Sequence, residues 1–108
     1  MKIDSLAKLH NELNKIAPTR YSHFNQKQDL PFITYIDDGE ENFHADNKDY
    51  LTGEFVQVEL YTENKNINME NQIKDLFRSA QIGFDKLPTE YINSEEMFIS
   101  TFRIKLRY

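Results

Sequence analysis

The residues with the most chemical potential lie between positions 37 and 49, where acidic side chains are concentrated. The candidate ligand residues in this segment are Asp37, Asp38, Glu40, Glu41, His44, Asp46 and Asp49. Hard cations need several oxygens that converge at a fixed geometry, and this segment lacks the spacing of a calcium-binding loop. We therefore expect loose ion binding at most, and we favour hydrated carboxylates that keep an exposed segment soluble.

The sequence is poor in other catalytic constellations. The three histidines, His10, His23 and His44, occur in different polar contexts, and the chain has no cysteine. Without cysteine there are no disulfides, thiolate zinc sites or cysteine nucleophiles. The serines form no recognisable nucleophile motif, and the three glycines are too dispersed for a phosphate-binding loop. We therefore predict that the protein is not an enzyme and that it has no metal site and no cofactor.

Length and composition indicate one domain. The chain has 108 residues and a net charge of −5, a size at which a single core forms without covalent staples. Binding to nucleic acid through phosphates requires a basic footprint, which an acidic chain lacks. The N-terminal residues lack the apolar run of a signal peptide, and no segment approaches the roughly 20 apolar residues of a membrane span. We expect a soluble protein, cytoplasmic at synthesis, with no membrane partner and no sequence-specific nucleic-acid partner.

Charge is distributed unevenly along the chain. Between positions 37 and 70, ten acidic residues accompany two lysines, a local net charge of −8. The last six residues have a local net charge of +3, from Arg103, Lys105 and Arg107. Either this basic row pairs with Glu59 or Glu54 within its own sheet, or the acidic segment of one copy contacts the basic strand of another. Contacts of the second kind close into rings when the rotation allows.

Apolar residues at helical spacing predict two helices. The first has its cap at Asp4 or Ser5 and ends before an Ala-Pro pair. Its apolar stripe is Leu6, Leu9, Leu13 and Ile16. The second follows a cap at Asn66 or Asn68 and ends at Gly83. Its apolar stripe is Met69, Ile73, Leu76, Phe77 and Ala80.

Alternation of apolar and polar residues predicts four strands. They are, in chain order, Phe32–Ile36, Phe55–Tyr61, Ile82–Leu87, which Tyr91 and Ile92 can resume, and Met97–Tyr108. The order helix, strand, strand, helix, strand, strand predicts an α+β fold: a mostly antiparallel four-stranded sheet with two helices packed on one face. The segments 18–31 and 38–50 are polar, and we predict that both are mobile loops of this single domain.

The second of these segments is longer than a connection between neighbouring strands requires, and loops of this length are usually functional. Two aromatic residues, Phe43 and Tyr50, lie inside it. We interpret the segment as a contact arm, and Phe55 with Tyr61 as an aromatic patch on the open side of the sheet. The candidate interface residues are Asp38, Glu40, Glu41, Phe43, His44, Asp46, Tyr50, Phe55, Tyr61, Arg103, Lys105 and Arg107.

The order and spacing of these elements resemble the tail-completion or tail-terminator proteins of long-tailed bacteriophages and prophages, especially those of Gram-positive hosts. The segments that carry the resemblance are Pro31–Tyr35, Phe43–Asn47, Tyr50, Val56–Thr62, Glu70–Phe77, Ile82–Phe84, Tyr91–Ile92 and Glu96–Phe98. The resemblance covers nearly the whole chain, from Leu6 to Tyr108. No single segment is diagnostic, and it is their order that is specific.

The resemblance implies a structural role in virion assembly. Such proteins form a ring, commonly hexameric, on the head-proximal end of the tail tube, where they stop tube growth and join the tail to the head. The implied partners are further copies of the chain, the tail tube protein and the head connector or adaptor protein. The implied location is the virion tail, after synthesis in the bacterial cytoplasm. The family supplies no catalytic residues.

Three other functions remain open. A head-completion or portal adaptor protein has the same size and acidity, and the sequence separates it poorly from a terminator. An acidic mimic of DNA that inhibits a host protein needs carboxylates at phosphate-like spacing on rigid elements, whereas here most of them are predicted in a loop. A small metal-dependent hydrolase or nuclease would use the acidic segment, and tight Mg²⁺ or Mn²⁺ binding would support it.

Overall fold

The structure is a computed structural model that describes the backbone of residues 1–45 and 48–106 and the side chains of residues 1–39 and 53–106. Its elements are α1 (Leu6–Asn14), β1 (Thr19–Tyr21), β2 (Phe32–Ala45), β3 (Lys48–Thr62), α2 (Ile67–Ser79), β4 (Phe84–Lys86), β5 (Glu90–Ile92) and β6 (Met97–Leu106). The predicted α+β class is confirmed. The predicted number of strands is wrong, because the sheet has six strands and not four.

The strands form one sheet in the order β1-β2-β3-β6-β4, and β5 also pairs with β6. All pairings are antiparallel except that of β1 with β2, in which Thr19 lies beside Ile33. The predicted loop 18–31 therefore contains an edge strand. We missed β1 because three residues are too few to show an alternating pattern. The predicted third strand is also divided, since β4 and β5 pair separately with β6.

One hydrophobic core joins both helices to one face of the sheet. Leu9 and Leu13 of α1 and Ile73 and Phe77 of α2 are fully buried. They belong to one cluster with the alternate sheet residues Ile33, Tyr35, Val56, Val58, Leu60, Phe102, Ile104 and Leu106. The predicted alternation of the second and last strands is confirmed, as is the packing of both helices on one face. The other face of the sheet carries no helix among the described residues.

Both helix N-caps follow the sequence. The Ser5 hydroxyl accepts a hydrogen bond from the Lys8 amide, and the Asn66 side chain accepts one from the Met69 amide. The prediction that Gly83 ends the second helix is wrong. That helix ends at Ser79, and Gln81 adopts a left-handed φ of 57°. The amide of Ile82 then bonds the carbonyl of Phe77, which closes a Schellman motif while Ile82 packs against the core.

The largest departure from the predicted fold is the segment 38–50, which forms no loop among its described residues. β2 and β3 pair as far as Ala45 and Lys48, with Phe43 opposite Tyr50. In the described part of the chain, β6 pairs with β3 as far as Glu54 and Leu106. Beyond that pair, residues 40–45 and 48–53 continue as a strand pair with no third strand among the described residues. We call these residues the ribbon, and the rest of the sheet with its helices the body.

Two irregularities mark the place where the ribbon leaves the body. Asp38 and Gly39 of β2 together face Phe55 of β3, and Thr52 is an additional residue on β3. Gly39 has a φ of 101°, a conformation that favours glycine. Because bulges bend and twist a strand pair, they set the direction of the ribbon. The fifteen residues of β3 span roughly 50 Å at 3.3 Å per residue, close to the 51 Å length of the molecule.

Candidate functional site

Candidate side chains from three strands meet at the base of the ribbon, on the sheet face that has no helix. Phe55 comes from β3, Arg103 and Lys105 come from β6, and the bulge in β2 contributes Asp38. The Arg103 guanidinium carbon lies 4.6 Å from the centre of the Phe55 ring, and the Lys105 ammonium lies 5.4 Å from it. Both distances are in the range of cation–π contacts. We call these four residues the root cluster.

Asp38 organises this cluster electrostatically. Its carboxylate lies 3.2 Å from Arg103 Nε and accepts a hydrogen bond of 3.1 Å from Gln57 Nε2. The side chains of Arg103 and Asp38 remain 44% and 37% exposed, so the ion pair is partly hydrated. We expected Glu59 or Glu54 to match the basic row across the sheet. For Arg103 the partner is Asp38, which the bulge brings within reach.

A shallow cavity of about 350 Å³ borders the root cluster. Its lining residues are Phe55, Gly83, Phe84, Asp85, Arg103, Ile104 and Lys105. Asp85 is exposed on β4 and is the cross-strand partner of Arg103. The cavity therefore offers an aromatic face, two cations and one carboxylate, a set that fits an acidic side chain better than a neutral small molecule.

Phe55 and Tyr61 do not form the single aromatic patch that the sequence predicted. Both lie on the open face, but six residues of β3 separate them by roughly 20 Å. Tyr61 stacks on Phe32 with ring centres 4.6 Å apart, and Phe24 meets Phe32 edge-on at 5.2 Å. Burial raises the pKa of Tyr61 to about 12, and its hydroxyl donates a hydrogen bond to Glu59. The sequence analysis missed Phe32, whose position opposite Tyr61 follows from the pairing of the first two predicted strands.

A polar network on the helix side of the ribbon base was also not predicted. Tyr21 of β1 donates a hydrogen bond to Asp37, the last regular residue of β2 before the bulge. The Tyr35 hydroxyl lies 3.1 Å from His10 Nδ1, and the Tyr21 and Tyr35 rings meet edge-on at 5.4 Å. The bond to Asp37 raises the pKa of Tyr21, and burial raises that of Tyr35. The base of the ribbon is therefore held from both faces of the sheet.

The remaining candidate residues are placed by the backbone alone or lie outside the description. Glu40 and Glu41 pair with Glu54 and Gly53, and His44 pairs with Asp49. Asp46 and Arg107 lie outside the described residues. In the described part of the chain, no group of His, Cys, Asp or Glu residues could hold a metal ion. No described helix is long and apolar enough to cross a membrane.

Comparison with protein-family models and with curated proteins finds no match to this chain. The ribbon, with the root cluster at its base, is therefore the feature from which a function is inferred.

Proposed function

We propose that this protein is a structural component of a bacteriophage or prophage virion, a tail terminator. It caps the head-proximal end of the tail tube as a ring of identical copies, stops tube growth and presents a surface to the head connector. The observation that carries the proposal is the ribbon, a strand pair that extends past the body. The resemblance in the order of elements supplies the biological setting.

The ribbon is suited to making contacts because little in the described chain supports it. A two-stranded hairpin is marginally stable alone in water. Beyond Tyr35 the outer edge of β2 has no neighbouring strand among the described residues, since β1 pairs only with residues 33–35. In the described part, the outer edge of β3 likewise has no paired strand before Glu54. Unpaired strand edges present amide and carbonyl groups to another chain.

Acidic residues limit which chain can bind there. Charged residues and bulges are devices that prevent indiscriminate pairing of edge strands. The ribbon and its base have both, with Asp38, Glu40 and Glu41 along β2 and bulges on each strand. A terminator needs this selectivity, because it must bind the end of the tube and yet offer no surface on which the next tube ring adds. Several modest contacts repeated around a ring give stable binding through high effective concentration.

Replacement of residues 43–50 by Asn-Gly tests the proposal, since this dipeptide closes a two-residue hairpin turn. The body should remain folded, as judged by circular dichroism and thermal unfolding, because its core residues lie elsewhere. In a phage or prophage that carries this variant, we expect overlong tails that fail to join heads, measured by electron microscopy. Gln26→Ala, an exposed change in the connection between β1 and β2, is the matched control and should give normal virions.

The same images separate the terminator from a head-completion or portal adaptor protein. Heads that leak DNA beside tails of normal length would assign the protein to the portal. Normal virions from the shortened variant would show that the ribbon is dispensable and would contradict both assembly roles as argued here. Overlong tails, with heads that retain their DNA, support the terminator.

A mimic of DNA is the second candidate, and one observation favours it. Glu40, Glu41 and Asp49 lie on paired strands and not in a loop, so their backbone positions are regularly spaced. If the protein inhibits a basic DNA-binding protein of the host, it should displace duplex DNA from that protein, and salt should weaken the effect. Fluorescence anisotropy of labelled DNA measures the displacement. No displacement at low ionic strength would remove this candidate.

A further inference from the structure

We infer that the root cluster of one copy binds the acidic ribbon of a second copy, so that copies join head to tail. The inference rests on the proposed function, because it names the contact that would build the ring. It is carried by two surfaces of one elongated chain that differ in charge. The root cluster, at the base of the ribbon, can receive a carboxylate, and the ribbon itself carries carboxylates.

The root cluster has the chemistry to receive a carboxylate. Arg103 has five N–H donors in a planar fork, and Asp38 is its one side-chain polar partner among the described residues, through Nε. The guanidinium is held against the Phe55 ring, and its side chain is 44% exposed. Its orientation is therefore fixed before a ligand arrives, which reduces the entropy lost on binding. The adjoining cavity of about 350 Å³ admits an incoming side chain.

The ribbon has the complementary charge. Its residues 40–45 and 48–53 contain three acids, Glu40, Glu41 and Asp49, and one lysine, a net charge of −2. β3 runs without interruption from Lys48 to Thr62, so the ribbon leads away from Phe55 along the same strand. A continuous strand cannot fold back onto its own base. We therefore expect the acid farther along the ribbon, Asp49, to reach the root cluster of another copy, in a heterologous contact of the kind that closes into rings.

Among the described side chains, the carboxylates of Asp38 and Asp85 lie near the cluster and oppose this contact, which gives the contact a measurable signature. Asp38 neutralises part of the Arg103 charge, and the exposed Asp85 lies opposite Arg103 on β4. Removal of the Asp85 charge should therefore strengthen self-association. Asp85→Asn is the variant for this test, with Asp75→Asn, an exposed acid on α2, as its matched control. An acidic ligand predicts this direction, whereas a contact through apolar surface predicts no change.

A charge-exchange experiment tests the inference directly. One variant, Arg103→Glu with Lys105→Glu, reverses the root cluster, and a second, Glu40→Lys with Asp49→Lys, reverses the ribbon. Each alone should lose self-association, because its two surfaces then have the same sign. An equimolar mixture should regain it, since each copy then meets a neighbour of opposite sign on both sides. Sedimentation velocity over a concentration series to millimolar, at low and high salt, measures the association.

Arg20→Glu with Lys27→Glu is the control of equal charge change on exposed residues outside the root cluster, and it should associate like the unmodified protein. Near-ultraviolet circular dichroism checks that each variant is folded. The inference is overturned if the mixture fails to regain association, if the reversed variants still associate, or if the unmodified protein stays monomeric at millimolar concentration. In each case overlong tails in the absence of the protein would still support the terminator role. Failure of the inferred contact is therefore distinguishable from failure of the proposed function.

Discussion

The body and the ribbon are made from the same two strands and are held together in different ways. Along β3, Val56, Val58 and Leu60 are fully buried against two helices. Residues 48–53 of the same strand pair with β2 and, among the described residues, with no third strand. A strand pair needs only backbone hydrogen bonds, whereas a core needs alternating apolar side chains. We therefore expect the body to determine the free energy of unfolding and the ribbon to determine association.

The strongest test of this difference between body and ribbon is to remove one aromatic ring from each region. Phe102 is fully buried and touches the Phe77 and Phe84 rings, so Phe102→Ala should cost about 3–5 kcal/mol of unfolding free energy. Phe43 lies beyond the last pair of β3 with β6, so Phe43→Ala should cost no more than about 0.5 kcal/mol and should weaken association. Urea denaturation measures both costs, and equal costs would show that the ribbon shares the core.

The junction of the two regions depends on a glycine. A methyl group at Gly53 would clash with the Leu106 carbonyl oxygen and would approach Lys105 Cγ to 3.1 Å. We expect Gly53→Ala to cost roughly 1–3 kcal/mol in thermal or urea unfolding. The control is Gly83→Ala, because a methyl group there meets nothing within 4 Å, and its effect should be within about 0.5 kcal/mol. Similar losses for both variants would contradict this account of the junction.

Alkaline pH should weaken the body through Tyr61. Its folded-state pKa of about 12 exceeds the value near 10 expected in the unfolded chain. The neutral form is therefore favoured by folding, and this contribution is complete below about pH 10 and lost as the pH rises towards 12. Allowing for the partial exposure of the ring, we expect a loss of roughly 1–2 kcal/mol. As the pH rises, the urea midpoint of the Tyr61→Phe variant should decrease less than that of the unmodified protein. If both decrease equally, the loss of stability comes from another group.

A buried carboxylate anchors the second helix within the body. Glu70 is 5% exposed and lies 3.0 Å from the Lys65 ammonium, which is itself about half exposed. Glu70→Gln should cost about 1 kcal/mol in urea denaturation, since the lysine left behind remains hydrated. The exposed pair of Asp75 and Arg78 is the reference, and Asp75→Asn should cost only a few tenths of the loss expected for Glu70→Gln. Equal losses of unfolding free energy would show that burial does not strengthen the pair of Glu70 and Lys65.

The smallest effect is expected at the base of the ribbon. Asp38→Asn removes a half-exposed ion pair with Arg103 and should cost between roughly 0.2 and 1 kcal/mol, less in high salt. The measurement is urea denaturation at two salt concentrations. A loss that salt does not reduce would mean that Asp38 acts through its bond with Gln57 instead.

The parts of the fold that could be predicted are those with a side-chain pattern. Apolar residues at helical spacing, such as Leu9 with Leu13 and Ile73 with Phe77, predicted both helices. Alternation of apolar and polar residues predicted β6 and the part of β3 that lies in the body. β1 and the ribbon were missed because backbone pairing supports them, and pairing leaves no signature in acidic or very short segments. The Asp-Gly pair at 38–39, a common turn signal, proved to be a bulge.

The sequence predicted which residues belong to the candidate site better than it predicted how they are arranged. Phe55, Arg103 and Lys105 were correctly placed on the open face, because strand alternation fixes the face of each residue. The partner of Arg103 was not predicted, since a bulge brings Asp38 into position and bulges shift register without an evident sequence rule. The stack of Phe24, Phe32 and Tyr61 depends on the path of a connecting segment that alternation does not describe.

The two bulges at the base of the ribbon cancel each other. One residue is added on β2 and one on β3, so Asn42 meets Leu51 as it would if neither addition were present. Loss of Gly39 alone would slip the strands by one position and exchange the two faces on which the ribbon residues of one strand lie. Loss of Gly39 and Thr52 together would restore the phase. Insertions and deletions in this part of the chain are therefore tolerated in matched pairs, and related chains should differ here by compensated lengths.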